Sequence, residues 1–175
     1  AIILAILLPM GAVVQEKEKG TAALMLSKPL PRGSFLLAKF AAYALVFGGS
    51  ILVAGLAGYY YTGLLFEFLP FGKWMAMNAL LLLYTLVYVA LTLFFSTLGK
   101  SQAFAGGLSL AVLALLAIFG AFPSLAQYLP AHLVTWSATL WAPGAAAQWT
   151  VVWISTGVVL AALAAAWLIF RRQEL

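Results

Sequence analysis

Leu98-Gly99-Lys100-Ser101 ends like a phosphate-binding loop, so nucleotide chemistry is the first possibility the sequence raises. That loop has the form G-x-x-x-x-G-K-[ST], follows a strand, and uses its glycines to bring backbone N–H groups onto phosphates. Phe94 stands where the first glycine belongs, and the preceding residues form a long apolar run instead of a short strand. Lys100 reads better as an anchor at a membrane surface, with Ser101 capping the helix that follows. Side-chain catalysis lacks its residues too. The chain has no Cys and no Asp, and His132 is its single histidine. Thiolate chemistry, Cys-ligated metals and a nucleophile with an adjacent base are therefore missing. Glu67 is the one carboxylate away from the charged ends, and beside Lys73 it reads as an interface residue. We expect no catalytic site, no metal and no cofactor on this chain.

The charges carry more information. Residues 15–39 hold seven of the thirteen formally charged side chains of a 175-residue chain that is 66% hydrophobic. A soluble domain is about 45–50% apolar and about 25% charged, whereas this one is only 7% charged. Such a chain cannot cover its surface with polar groups in water, so it belongs in the lipid bilayer. The net charge of +5 does not imply nucleic acid, because the basic residues punctuate apolar segments and form no single patch.

The elements that must position these charges are membrane helices. Apolar runs at 35–66, 74–98, 102–122 and 149–170 each reach the roughly 20 residues a spanning helix needs. Without water in the bilayer every backbone group must pair within its segment, and the runs are too long for barrel strands. The expected fold is all-α, a polytopic transmembrane helix bundle in a single domain over 1–175. Residues 1–14 read as the second half of a spanning helix whose start precedes this sequence. Placing Lys17, Lys19, Lys28, Arg32, Lys39, Lys100, Arg171 and Arg172 in the cytoplasm leaves Lys73 alone outside, a consistent positive-inside pattern with a cytoplasmic C-terminus. Residues 123–148 have no Lys, Arg, Asp or Glu but three Pro, two Trp and one Tyr. A short helix from Pro130 to about Trp141 is expected there, lying in or dipping into the outer interface.

Within 15–34 the residues spell an elbow. Gly20-Thr21 can end one helix and cap the next, residues 22–28 can form a short helix presenting Leu24, Met25 and Leu26, and Pro29 and Pro31 end it. A stiff elbow with an apolar face suits docking to another protein.

This stretch resembles the permeases of ABC type-2 transporters. Their cytoplasmic segment has the form E-[RK]-E-x-G-T, a short Leu-rich helix, then S-x-P-[ILV]-x-R and a Lys entering the next span. Here it runs Glu16-Lys17-Glu18-Lys19-Gly20-Thr21, Leu24-Met25-Leu26-Ser27-Lys28-Pro29-Leu30-Pro31-Arg32, then Lys39. Ala23 stands where an acidic residue is common in that family, and Pro31 where Ser is common. The resemblance implies the later five of a usual six spans, a coupling helix and an outer interfacial helix. It also implies a separate ABC ATPase subunit that binds ATP and Mg, a permease homodimer or heterodimer, and the cell membrane of a prokaryote. The coupling contacts would be Glu16, Glu18, Gly20, Thr21, Leu24, Met25, Leu26, Lys28, Pro29 and Arg32. The rival function is a non-transporting membrane scaffold or sensor that docks a cytoplasmic partner with the same elbow.

Two further patterns lie in the spans. Asn78, Thr85 and Thr92 recur every seven residues, with Tyr88 close to that face, so they form a nearly straight polar stripe. The stripe reads as interhelical hydrogen bonding, or as the lining of a path or dimer seam. Ser50, Ala54 and Gly58, like Gly157, Ala161 and Ala165, are small residues spaced by four, a pattern that lets helices approach closely.

Overall fold

A computed structural model describes residues 2–18, 32–99, 101–142 and 146–172, without the side chains of 17, 18, 32 and 172. The described elements are α1 (Ile2–Leu7), α2 (Val14–Glu18), α3 (Arg32–Leu65), α4 (Phe71–Leu98), α5 (Gln102–Gly120), α6 (Pro123–Ala126), α7 (His132–Thr139) and α8 (Trp149–Arg172). Four of them are long and apolar enough to cross a membrane, over Gly33–Leu65, Phe71–Leu98, Gln102–Gly120 and Trp149–Arg171. The chain is thus a polytopic helical bundle, with no strand among the described residues.

α4 is the axis of the bundle. Its span is 61% buried, against 11%, 17% and 22% for the other three. Val87, Val89, Ala90 and Leu93 are fully enclosed, and so are Thr85 and Thr92. The widest contact is between α4 and α8, with α3, α5, α7 and α1 packed around the rest of α4. Leu45, Val53 and Trp153 point outward from the flanking helices, as expected where the solvent is hydrocarbon.

Glycine decides how closely α3 meets α4. The Trp74 indole N–H donates to the Gly55 carbonyl at 2.8 Å. A Cβ at position 55 would lie 2.6 Å from Asn78 Oδ1. Asn78 has little room to yield, because it is buried and its amide donates to the Trp74 carbonyl at 2.9 Å. Gly55→Leu is therefore expected to destabilise the protein by about 1–3 kcal/mol, the usual cost of overpacking. The helix propensity gained by losing a glycine, about 0.5–1 kcal/mol, offsets only part of that cost. A thermal melt in detergent checks it; an unchanged or raised midpoint would contradict the close packing.

The small-residue faces expected from sequence coincide with the contacts only in part. Ser50 and Ala54 are exposed, as are Gly157 and Ala161. α3 instead turns Gly55 and Gly58 toward α4, while α8 buries Val151, Ser155, Val159, Ala162, Ala166 and Phe170. Ser50 and Ala54, like Gly157 and Ala161, are one step off the contact face, whereas Gly58 lies on it; spans that are apolar all round have no polar side to correct the choice.

Residues 1–14 also differ from one helix end. Pro9 has no N–H to continue the ladder of α1, and residues 8–13 form turns before α2 begins. The short helix expected over 130–141 is shorter than that. α7 runs from His132 to Thr139 and buries Leu133, Trp136 and Ser137, with Trp136 in one apolar cluster with Tyr84, Tyr88 and Val151. His132 donates to the Gln148 side-chain carbonyl, tying α7 to the entry of α8.

Candidate functional site

Pro9 and Gly11 interrupt the apolar run that begins the chain, so backbone groups in the break lose their helical partners. Lipid cannot replace those partners; a side chain from α4 does. The Ser96 hydroxyl accepts from Val13 N–H at 3.2 Å and from Val14 N–H at 3.3 Å, and donates to the Met10 carbonyl at 3.0 Å. One donor and two acceptor positions are all that a hydroxyl has, and Ser96 uses every one in full burial.

The residues after the break lock it from both sides. Val13 packs with Leu36, Ala166 and Phe170, joining α3 and α8. Val14, its neighbour in sequence, packs with Phe95 and Ala105, joining α4 and α5. Gln15 then donates to Gln102 at the start of α5, at 2.6 Å. Tyr43 of α3 donates its hydroxyl to the Leu8 carbonyl in the break, at 3.1 Å.

Glu16 closes the arrangement. Its carboxylate accepts from Lys39 Nζ at 2.6 Å, and both side chains are less than a quarter exposed. Lys39 also lies over the Phe35 ring, 5.0 Å from its centre, and Phe35 stacks on Phe170 of α8 at 5.7 Å. The ion pair joins the helix before the elbow to the helix after it. A polar cavity of about 230 Å³ lies here, lined by Gln15, Glu16, Lys39, Tyr43 and Gln102 among others. By contrast, Glu67 and Lys73 form no ion pair with each other.

Of the expected coupling residues, Gly20, Thr21, Leu24, Met25, Leu26, Lys28 and Pro29 lie outside the described residues, as does the anchor Lys100. Glu18 lies in α2 and Arg32 in α3, so the described residues at both edges of the elbow are helical. Ser101 accepts from Phe104 N–H at 3.2 Å and caps α5.

The polar stripe is interior. Asn78 is 9% exposed, Tyr88 2%, and Thr85 and Thr92 not at all. Thr85 donates to the Leu81 carbonyl of its own helix at 2.8 Å, whereas the Thr92 hydroxyl meets no partner among the described residues. Tyr84 and Tyr88 meet edge to face at 5.2 Å.

Sequence reasoning passed over Ser96, Gln15, Gln102 and Tyr43. Pro9 and Gly11 inside an apolar run were a usable signal for a break. Nothing local marked Ser96 as its partner, because the contacts close over 82 to 86 residues.

Residues 1–133 match a family model described as ABC-2 family transporter protein. The chain is also 29% identical, over 171 residues, to an uncharacterized transmembrane protein, YxlG, of Bacillus subtilis (strain 168). That match covers 94% of this chain and 65% of the relative, so the chain spans somewhat less than two thirds of the relative's length.

Proposed function

Because the chain belongs to the ABC-2 family of transporter proteins, we propose that this permease couples ATP hydrolysis on a separate ATPase subunit to movement of a substrate across the membrane. ATP and Mg are held by that partner, and this chain supplies the path and the lever. The working unit contains two permease copies, with the elbow and the C-terminus in the cytoplasm.

One observation carries this reading. Glu16 and Lys39 pair at 2.6 Å across the two ends of the elbow, and the residues beside them pack on all four spans. A push delivered to Glu16 or Lys39 at the ends of the elbow then reaches α3, α4, α5 and α8 through packed side chains. A floppy loop would absorb the same motion.

The polar stripe enters the proposal as part of the path. At 0–9% exposure Asn78, Thr85, Tyr88 and Thr92 cannot meet a second copy unless α4 first parts from its neighbours. Their burial therefore favours a path opened by such a parting over a seam between copies.

The test is a charge-swap cycle. Glu16→Lys and Lys39→Glu should each lower the ATPase stimulation measured on the reconstituted complex, by roughly fivefold for a pair worth about 1 kcal/mol. The double swap should recover most of it, which is the signature of a direct interaction. Full activity in both single variants would remove the lever.

A further inference from the structure

We propose that the cleft between α4, α7 and the entry of α8 binds an uncharged, largely apolar small molecule that carries a carbonyl acceptor. The cleft holds about 480 Å³, within the range of about 300–1,000 Å³ usual for small-molecule sites. Leu83 of α4, Trp136 of α7 and Trp149 of α8 form part of its lining. Ala76 and Ala79 on α4, with Ala146 and Ala147 before α8, also line it and are exposed, so small side chains keep its mouth open. Aromatic contacts fix the walls. Trp136 meets Trp149 edge to face at 6.3 Å, and Trp74 meets Trp141 in the same way at 6.4 Å. The cleft flanks the first half of α4, whereas Ser96 and its contacts lie in the last turn of that helix.

Chemistry chooses the occupant. No charged side chain is among the described lining residues, and residues 123–148 contain none. The polar side-chain atoms of that lining are two indole N–H groups, of Trp136 and Trp149. Trp149 is 62% exposed, but Trp136 only 5%. The Trp136 N–H is buried and meets no partner among the described residues, and a buried donor of this kind calls for an acceptor. Water suits the place poorly, because an ordered water takes about 2–4 polar partners and these side chains offer donors alone. A bilayer acyl chain fills such a space but has no acceptor along its length. A ketone, ester or amide on an apolar frame supplies both. This inference goes beyond ATPase coupling, and its test needs no ATPase.

The purified chain in mild detergent is irradiated with benzophenone, and the labelled peptides are mapped by mass spectrometry. Labelling should concentrate on the residues of the cleft. Fluorenone and fluorene share one ring frame and differ by a carbonyl. Fluorenone should displace benzophenone at a roughly fivefold lower concentration than fluorene, the worth of one hydrogen bond. Trp136→Phe keeps a ring but removes the N–H, so it should level the two competitors while labelling persists. Ala79→Phe and Ala147→Phe should fill the cleft and remove labelling there. Both positions are exposed, so the thermal midpoint should stay with the parent, and either variant serves if the other fails to fold. Four results would overturn the proposal: labelling spread evenly over the apolar surface, equal displacement by the two competitors in the parent, a ketone preference kept by Trp136→Phe, or labelling that survives both cleft-filling variants.

Discussion

Replacing Ser96 with alanine is expected to lower stability by about 3 kcal/mol or more. The substitution removes one oxygen but orphans three backbone groups: the Val13 and Val14 N–H groups and the Met10 carbonyl. Each buried polar group left without a partner costs about 1–3 kcal/mol. Relief is limited, because Val13 and Val14 are almost wholly enclosed. Ser109→Ala is the matched control. Its hydroxyl donates only to the Ala105 carbonyl of its own helix, so its loss should cost about 1 kcal/mol or less. Thermal melts of both variants in one detergent make the comparison. If Ser96→Ala melts with the parent while ATPase stimulation is intact, the break in the first helix is not held from α4.

The second large effect lies in the elbow. If Leu24, Met25 and Leu26 are the buried contact with an ATPase, Leu24→Asp puts an unpaired carboxylate into a docking groove. Such burial costs about 3–5 kcal/mol, which lowers affinity more than a hundredfold. The ATPase should no longer co-purify, although the membrane helices melt as before. Glu16, Glu18, Lys28 and Arg32 would orient the contact more than strengthen it, since charges at a rim act chiefly on rate and specificity. Changing Lys19, in the turn before the short helix, should do little. A Leu24→Asp permease that still captures the ATPase and transports would leave the elbow as a loop that merely joins two spans.

Membrane location, helical class and the four spans needed only local information. A run near 20 apolar residues has one low-energy answer in lipid, whatever its neighbours are. The motif from Glu16 to Arg32 was legible as a family pattern, because it lies in the order and spacing of neighbouring residues; most of it lies outside the described residues. Asn78, Thr85 and Thr92 fell on one face by helical period alone. Which face of each helix meets another was a different matter. The spans are apolar on every side, so Ser50 and Ala54 looked as suitable for packing as Gly55, and only the Trp74 and Asn78 contacts distinguish them. The hold on the broken first helix and the closing of the elbow were likewise decided by the tertiary structure. Ser96 meets Met10 across 86 residues, and Lys39 meets Glu16 across 23. Hydrophobic patterning selects a solvent for each segment, but pairing distant polar groups depends on how the segments stack. The composition placed this chain in the membrane; the packing around Ser96, Glu16 and Lys39 joined its elbow to its spans.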